Sequence, residues 1–422
     1  MKSLKYEFGD FSCNTRLRNL MLPSQITIVL TNKCNLKCKF CSVCTDELQM
    51  MDFEFAKKIL LYCSENGIHN ICISGGEPIL YPQINELIQY AGSLNLKVLL
   101  TTNGLLLDRI NLDSIEMLYG IGVSLHGTEQ THDAITGMEN SYKITVANLD
   151  KAKKTNANIN YTFSNINSDY SEMEHVANIA LQNGMSMTVA RINREGRAIG
   201  GGYDVQPNIL VENVSQLLLK GYNIRVSNCI APCSVKQNLR YLTHGCSAGI
   251  SFVGVEPNGD VKVCPTASFS IGNLYNEDLL NIWNSNIMKK MRSLNWLPIA
   301  CKSCYDILKC RGGCKIENYN NRKWPAFGDI LASETFDEIW TKISNTNLKL
   351  TLNCIRKEDG YSILLGPHLR FCNDSVISIL KKIDGSRTGN QLLDQADEHQ
   401  REQVKMLLIA LYRDSVIKTI IG

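Results

Sequence analysis

Long apolar runs are missing from this 422-residue sequence. Nowhere do about eighteen apolar residues follow one another, which is close to the length a helix needs to cross a bilayer, so no membrane-spanning helix is expected. The start, MKSLKYEFGDFSC, has neither the apolar stretch nor the small-residue cleavage site of a secretory signal, which points to the cytoplasm. An excess of one charge is missing too. Lys and Arg number 44 against 41 Asp and Glu, and the formal net charge of +3 supplies no broad basic field for nucleic acid or an anionic membrane. Partners must be recognised locally. Internal repeats and low-complexity tracts are lacking as well. With 44% hydrophobic residues, the chain is long enough for two or three domains with at least one large core.

Cysteine, by contrast, is abundant: there are 17. A reducing compartment keeps thiols free and favours metal or catalytic use over a disulfide framework. They concentrate at 34–44, 229–264 and 301–314, leaving Cys13, Cys63, Cys72, Cys354 and Cys372 scattered. Cys63, in the helical pattern EFAKKILLYCSENG, and Cys72, in the strand-like NICIS, read as small buried hydrophobes.

From residue 26 to about 192, short β-branched runs (ITIVL, NICIS, KVLLT, GVSL, INYTF, MTVARI) alternate with helix-length amphipathic segments such as YPQINELIQYAGSLN. Six strand–helix repeats predict a parallel α/β sheet, open or curled into a barrel, with functional loops at the strand C-terminal ends. The first cysteines follow ITIVL, GGEP follows NICIS, and TNG follows KVLLT. After GGGYD the alternation stops, and a Cys-rich, turn-rich region runs to about 330, where metal ligation would replace hydrophobic burial. From about 350 a small domain is expected, with ASETFDEIWTKISNTN as its connector.

Cys34, Cys38 and Cys41 form C-x3-C-x2-C. Thiolates suit both zinc and iron–sulfur clusters. Zinc would want four ligands, for which Cys44 is at hand; an iron–sulfur reading uses three and leaves one iron open. The spacing, with Phe40 before the last cysteine, resembles the signature of radical S-adenosylmethionine enzymes, and Gly75–Pro78 resembles that family's methionine-binding motif. The resemblance spans about 20–200. It implies that Cys34, Cys38 and Cys41 carry a radical-generating [4Fe-4S] cluster whose open iron takes S-adenosylmethionine. It further implies that Phe40, Gly75, Gly76, Glu77, Pro78, Asn103 and Ser124 meet that cofactor. Gly75 and Gly76 would let backbone approach the methionine end, Glu77 would accept hydrogen bonds from its ammonium, and Pro78 would fix the turn. Cys44 reads as a bystander and His126 as loop packing.

Cys246, Gly259 and Cys264 give C-x12-G-x4-C, and Cys301, Cys304, Cys310 and Cys314 give C-x2-C-x5-C-x3-C. This resembles the SPASM extension of peptide- and protein-modifying radical enzymes, which houses up to two auxiliary iron–sulfur clusters. By that resemblance Cys246, Cys264 and Cys314 share one cluster, and Cys301, Cys304 and Cys310 the other. A further ligand to the first would come from Cys229 or Cys233. Asp329 stands near the place where the family has a seventh cysteine.

Residues 350–422 resemble the peptide-binding chaperone of pyrroloquinoline quinone biosynthesis, a winged-helix-like α+β module. Ten Lys and Arg against nine Asp and Glu from Leu350 onward give no basic recognition helix, so a peptide reader is expected rather than a DNA reader. The expected architecture is therefore a partial (β/α)6 TIM-like barrel at 21–205 behind an N-terminal segment 1–20. A bridging and SPASM region follows at 206–335, then the recognition domain at 350–422. The expected activity is hydrogen abstraction from a ribosomally made precursor peptide bound through its leader, with a thioether or carbon-based crosslink as product. A flavodoxin or ferredoxin is the expected electron donor. The competing readings are maturation of a folded protein, as by anaerobic sulfatase maturases, or of a small molecule, and a non-catalytic iron–sulfur protein.

Overall fold

The computed structural model describes residues 20–42, 48–193, 195–227, 229–297, 301, 304, 306–315, 334–351, 354–358, 361–365, 370–372, 374–413 and 416–420. One compact unit holds 22–283 together with Cys314 and Lys315, and a second holds 284–313 together with the described residues beyond 333.

The first unit is built on one sheet. All six expected strands form: β1 (Gln25–Val29), β2 (Asn70–Ser74), β3 (Lys97–Thr102), β4 (Gly120–Ser124), β5 (Asn158–Phe163) and β6 (Ser186–Arg191). Each pairs in parallel with its neighbour in sequence. The helices between them are α1 (Phe53–Glu65), α2 (Ile84–Ser93), α3 (Leu112–Met117), α4 (Glu129–Thr136), α5 (Ser141–Ala152) and α6 (Tyr170–Gln182). Helix α1 has an evident sequence logic. Asp52 caps it by accepting from Phe55 N at 2.9 Å, and Ala56, Ile59, Leu60 and Cys63 recur on its buried face at helical spacing. Cys63 is fully buried there, and the Cys72 thiol lies 3.8 Å from the Thr101 hydroxyl, so both cysteines are packing residues.

The sheet continues beyond the alternating segment. After α7 (Pro207–Leu219), β7 (Ile224–Val226) pairs with β6. On the opposite edge β8 (Phe252–Val255) lies parallel to β1 and carries the antiparallel β9 (Asp260–Lys262) and β10 (Gly272–Asn273). The strand order is β10-β9-β8-β1-β2-β3-β4-β5-β6-β7, a linear array with two edges, so the TIM-like barrel is partial. Strands from the Cys-rich region thus complete the same sheet, and helix α8 (Leu279–Trp283) closes this unit.

The second unit contains α9 (Asn286–Ser293), α10 (Ile307–Cys310) and α11 (Phe336–Ser344). The expected connector is α11 itself. Thr335 and Glu338 form a reciprocal capping box, and Phe336, Ile339 and Ile343 enter the core with Leu348, Val376, Leu380 and Leu408. This segment therefore belongs to the C-terminal core. Strand β11 (Asn347–Leu350) sits between β15 (Asp384–Thr388) and β16 (Ile417–Thr419), while β12 (Cys354–Glu358), β13 (Tyr361–Leu365) and β14 (Arg370–Cys372) make an antiparallel meander. Helices α12 (Asp374–Leu380), α13 (Gly389–Leu393) and α14 (Arg401–Arg413) complete the unit. Among the described residues, no helix is long and apolar enough to cross a membrane.

Candidate metal centres

The loop that follows β1 carries Cys34, Cys38 and Cys41, and it is strapped down by its backbone. Lys37 N and Lys39 N donate to Thr136 O and Ile135 O at the end of α4, at 3.0 and 2.9 Å. Arg197, just beyond β6, donates from its backbone N to Cys41 O at 3.0 Å and from Nη1 to Cys38 O at 2.9 Å. The thiols share one electrostatic neighbourhood. Burial pushes the Cys38 thiol up to about 12, with Cys41 and Cys34 adding to the rise and Arg197 opposing it. Burial likewise raises Cys34, against an N–H bond from Leu36 to its sulfur. Three such thiolates are stable together only around a cationic core, and a four-iron cube held at three irons meets that requirement.

Gly75–Pro78 lies against this loop. Gly76 N donates to Thr31 O at 2.7 Å and Glu77 N to Lys33 O at 2.8 Å. A Cβ on Gly75 would stand 2.3 Å from Thr31 O, and one on Gly76 2.3 Å from Lys33 O. The glycines are thus required by the backbone just ahead of Cys34. Glu77 is fully buried; Oε1 accepts from Ile79 N at 3.1 Å and from the Thr102 hydroxyl at 2.8 Å, and Oε2 accepts from Asn103 N at 2.8 Å. Burial raises its carboxyl to about 7, and those bonds moderate the rise. Glu77 therefore ties the end of β2 to the end of β3, and Pro78 opens the short turn that it caps.

Asn103 donates from Nδ2 to Asn35 Oδ1 at 2.8 Å, and the same nitrogen lies 3.9 Å from Cys34 Sγ. Ser124 ends β4, half-buried. Phe40 is buried with Ile135, Ile192 and Ala198, edge-on to His126 with ring centroids 5.3 Å apart. His126 accepts from Thr162 N at Nδ1, and burial, aided by His132, lowers it to about 3, so it is a neutral packing group. Arg197 and Thr102 were missed by sequence reasoning. Arg197 lies 159 residues from its partner Cys38, with no spacing signal to connect them.

The second centre gathers Cys229, Cys246, Cys264 and Cys314, all in the first unit. The Cys229 thiol is raised, first by spending its S–H on Cys246 and then by burial, with Cys314 and Cys264 also in range. Cys246 is held well down by that bond and by the Lys315 ammonium. Cys233 is exposed in a short turn, whereas the thiols that act on Cys229 are Cys246, Cys314 and Cys264. Cys301, Cys304 and Cys310 belong to the second unit, in a run of turns where Cys304 N donates to Cys301 O at 3.0 Å and Cys310 ends α10. Cys44 and Asp329 lie outside the described residues. Among the described residues, no three His, Cys, Asp or Glu side chains converge to hold a single metal ion. A cube binds each thiolate to a different iron and needs no such convergence.

A cavity of about 280 Å³ opens beside the loop that carries Cys41, with no cysteine among the described residues of its lining. It is lined by Asn32, Ser42 and Gly196 on the loop side and by Glu256, Lys262 and Thr266 on the β8–β9 side. The Thr266 hydroxyl is 3.2 Å from Cys264 Sγ. Burial raises the Glu256 carboxyl, and Lys262 Nζ at 3.2 Å draws it back. A larger cavity of about 410 Å³ is lined by Phe55, Tyr62, Tyr275 and Asp278 among others.

Residues 28–176 match the Radical SAM superfamily, and residues 246–305 match SPASM, an iron-sulfur cluster-binding domain. The mycofactocin maturase MftC of Mycobacterium tuberculosis is 28% identical over 318 residues, covering 70% of this chain and 79% of its own. The PqqA peptide cyclase of Gluconobacter oxydans is 26% identical over 320 residues, covering 70% of this chain and 86% of its own. Among solved structures, Streptococcus suis SuiB bound to precursor peptide SuiA superposes with a TM-score of 0.58 at 20% identity, covering 74% of this chain and 76% of that one. That likeness establishes a common fold.

Proposed function

We propose that this radical S-adenosylmethionine enzyme, whose chain carries a Radical SAM domain and an iron–sulfur-binding SPASM domain, modifies a ribosomally made precursor peptide. It removes a hydrogen atom from one residue and closes a thioether or carbon-based crosslink, the second electron passing to an auxiliary iron–sulfur cluster and the attacking group's proton to solvent. Cys34, Cys38 and Cys41 would hold the [4Fe-4S] cluster, which with S-adenosylmethionine would supply a radical able to take hydrogen from an unactivated carbon. The chain's own part is to hold and to orient. Glu77 and the Thr31–Lys33 backbone fix the turn on which Gly75 and Gly76 meet the methionine end. Phe40, Asn103 and Ser124 border the same cofactor.

The observation that carries the reading is the shared cavity. Ser42, next to Cys41, and Thr266, hydrogen-bonded to Cys264, line one space, so residues adjoining both cysteine groups face the same cavity, where a substrate would be held near each. Cys229, Cys246, Cys264 and Cys314 ligate that auxiliary cluster, and Cys301, Cys304 and Cys310, with Asp329 as a candidate fourth ligand, hold a second. The peptide substrate is supported by relatives such as the PqqA peptide cyclase.

In this reading the C-terminal unit recognises the leader. The meander β12–β14 followed by α12–α14 has the strand–helix order of a peptide reader, and a leader would add as a strand to an open edge. Tethering through the leader raises the local concentration of the core peptide. The setting is the cytoplasm, with a flavodoxin- or ferredoxin-type donor. The test is turnover by the whole chain on a neighbouring precursor peptide, with and without its leader, alongside hydrogen exchange over Tyr361–Leu365. Turnover that falls at least tenfold without the leader, with slowed exchange in its presence, is expected. Equal turnover on both peptides would remove the leader-reading role.

A further inference from the structure

Lys315, the residue after Cys314, is only 5% exposed. A buried ammonium costs several kcal/mol unless charge and hydrogen bonds compensate it. Its Nζ donates to Ala248 O at 2.8 Å, inside the turn that follows Cys246. The same residue reaches Cys246 in a second way, because its backbone N–H and that of Ala248 both donate to the Cys246 sulfur. The ammonium also acts through space on Cys264. One lysine is thus placed by its own backbone, and by the carbonyl of a residue two positions from a candidate ligand, against two of the four thiols. Exposed Lys–Glu pairs such as Lys220–Glu174 show the ordinary arrangement on this chain, with the ammonium in solvent. Lys315 is the exception in being buried beside sulfur.

We infer that Lys315 sets the reduction potential of the auxiliary cluster held by Cys229, Cys246, Cys264 and Cys314, keeping it more positive than the thiolates alone would allow. The inference rests on the proposed ligand set. A cluster with four thiolates is negatively charged, and reduction adds one electron to the site. A fixed positive charge in a low-dielectric surrounding therefore stabilises the reduced form more than the oxidised one. N–H bonds to sulfur act in the same direction. The consequence is a centre better suited to accept an electron than the same four thiolates would be without a buried ammonium beside them. Lys315 is a positioning residue in this account: it touches the ligands rather than the substrate.

The test is a potentiometric titration of anaerobically reconstituted full-length protein, followed by electron paramagnetic resonance. Auxiliary signals are separated from the radical-generating one by working in a Cys34→Ala, Cys38→Ala, Cys41→Ala background. Iron content and the presence of an auxiliary signal report on the ligand set; the midpoint reports on Lys315. The midpoint of one auxiliary signal is expected to move to a more negative potential in Lys315→Met and to return toward the wild-type value in Lys315→Arg, at unchanged iron content. Loss of one cluster's iron from Lys315→Met with retention in Lys315→Arg would support the same pairing of charges. An unchanged midpoint in a fully loaded Lys315→Met protein, or equal loss of iron from both variants, would overturn the inference. Absence of the cluster from the Lys315-containing parent would instead remove the ligand set on which it rests.

Discussion

The two cysteine groups of the first unit differ in their electrostatics: burial raises thiols in both, but a buried ammonium stands only beside the second among the described residues. At Cys34, Cys38 and Cys41 the backbone is clamped, but ionisation is opposed: burial and mutual repulsion push Cys38 to about 12. At Cys229, Cys246, Cys264 and Cys314 ionisation is opposed at Cys229 and Cys264 but favoured at one thiolate, because the Cys229 S–H and the Lys315 ammonium hold Cys246 down. In the proposed reading the first group would hold a cationic core at three irons and leave the fourth for the cofactor. The second brings four thiols and a buried ammonium, which in the proposed reading would suit a closed centre that stores charge rather than reacts. Proteins separate these tasks because an iron open to substrate chemistry and a centre with a steady potential need different surroundings.

The largest expected effect comes from breaking the second centre while leaving the first intact. Cys264→Ala should still release deoxyadenosine but lose at least a hundredfold in crosslinked product, measured by chromatography of the nucleoside beside mass spectrometry of the peptide. Parallel loss of both would mean that the centres are not functionally separate. Next, Cys229→Ser should remove one cluster's worth of iron, whereas Cys233→Ser should leave iron content unchanged, because only Cys229 bonds within the group. An iron assay on both variants decides the matter.

The comparison extends to the second unit. Ile343→Ala, at a fully buried position in the C-terminal core, should cost about 2–5 kcal/mol of that unit's stability. It should weaken leader binding without changing deoxyadenosine release. The smallest expected effect concerns Glu77. Its folded carboxyl lies near 7 against an ordinary value of 4.5, so the folded state holds the proton more tightly than the unfolded chain. The resulting contribution to stability is complete below pH 4.5 and is lost as pH rises through 7, on the order of 3 kcal/mol at most. Glu77→Gln should flatten that slope in urea titrations of metal-free protein; an unchanged slope would place the titrating group elsewhere.

The parts of this comparison that could be read from the sequence are those with local periodicity or tight spacing. C-x3-C-x2-C is a local signal, and the six apolar runs became β1–β6, each a strand of five or six residues between helix-length segments. β7 spans three residues and β8 four, too short for alternation to register, so their place in the sheet emerges only from pairing with β6 and β1. The choice between Cys229 and Cys233 is equally silent in sequence, since both stand at plausible distances and only folding brings one against Cys246. Glu77 was read as a methionine contact; its bonds to Thr102 and Asn103, 25 and 26 residues further on, required the adjacency of two strand ends. Helix α11 is a different case. Its capping box and Phe336, Ile339, Ile343 spacing were available in the sequence and mark a core helix rather than a connector.

The central claim is that the clamped three-cysteine loop initiates radical chemistry. It is tested most directly by measuring deoxyadenosine release from S-adenosylmethionine by reduced, anaerobically reconstituted protein, beside the Cys34→Ala, Cys38→Ala, Cys41→Ala variant with its auxiliary iron in place. Release by the unaltered protein alone is the predicted result. No release from a protein whose clusters are demonstrably loaded, or equal release from both, would contradict it.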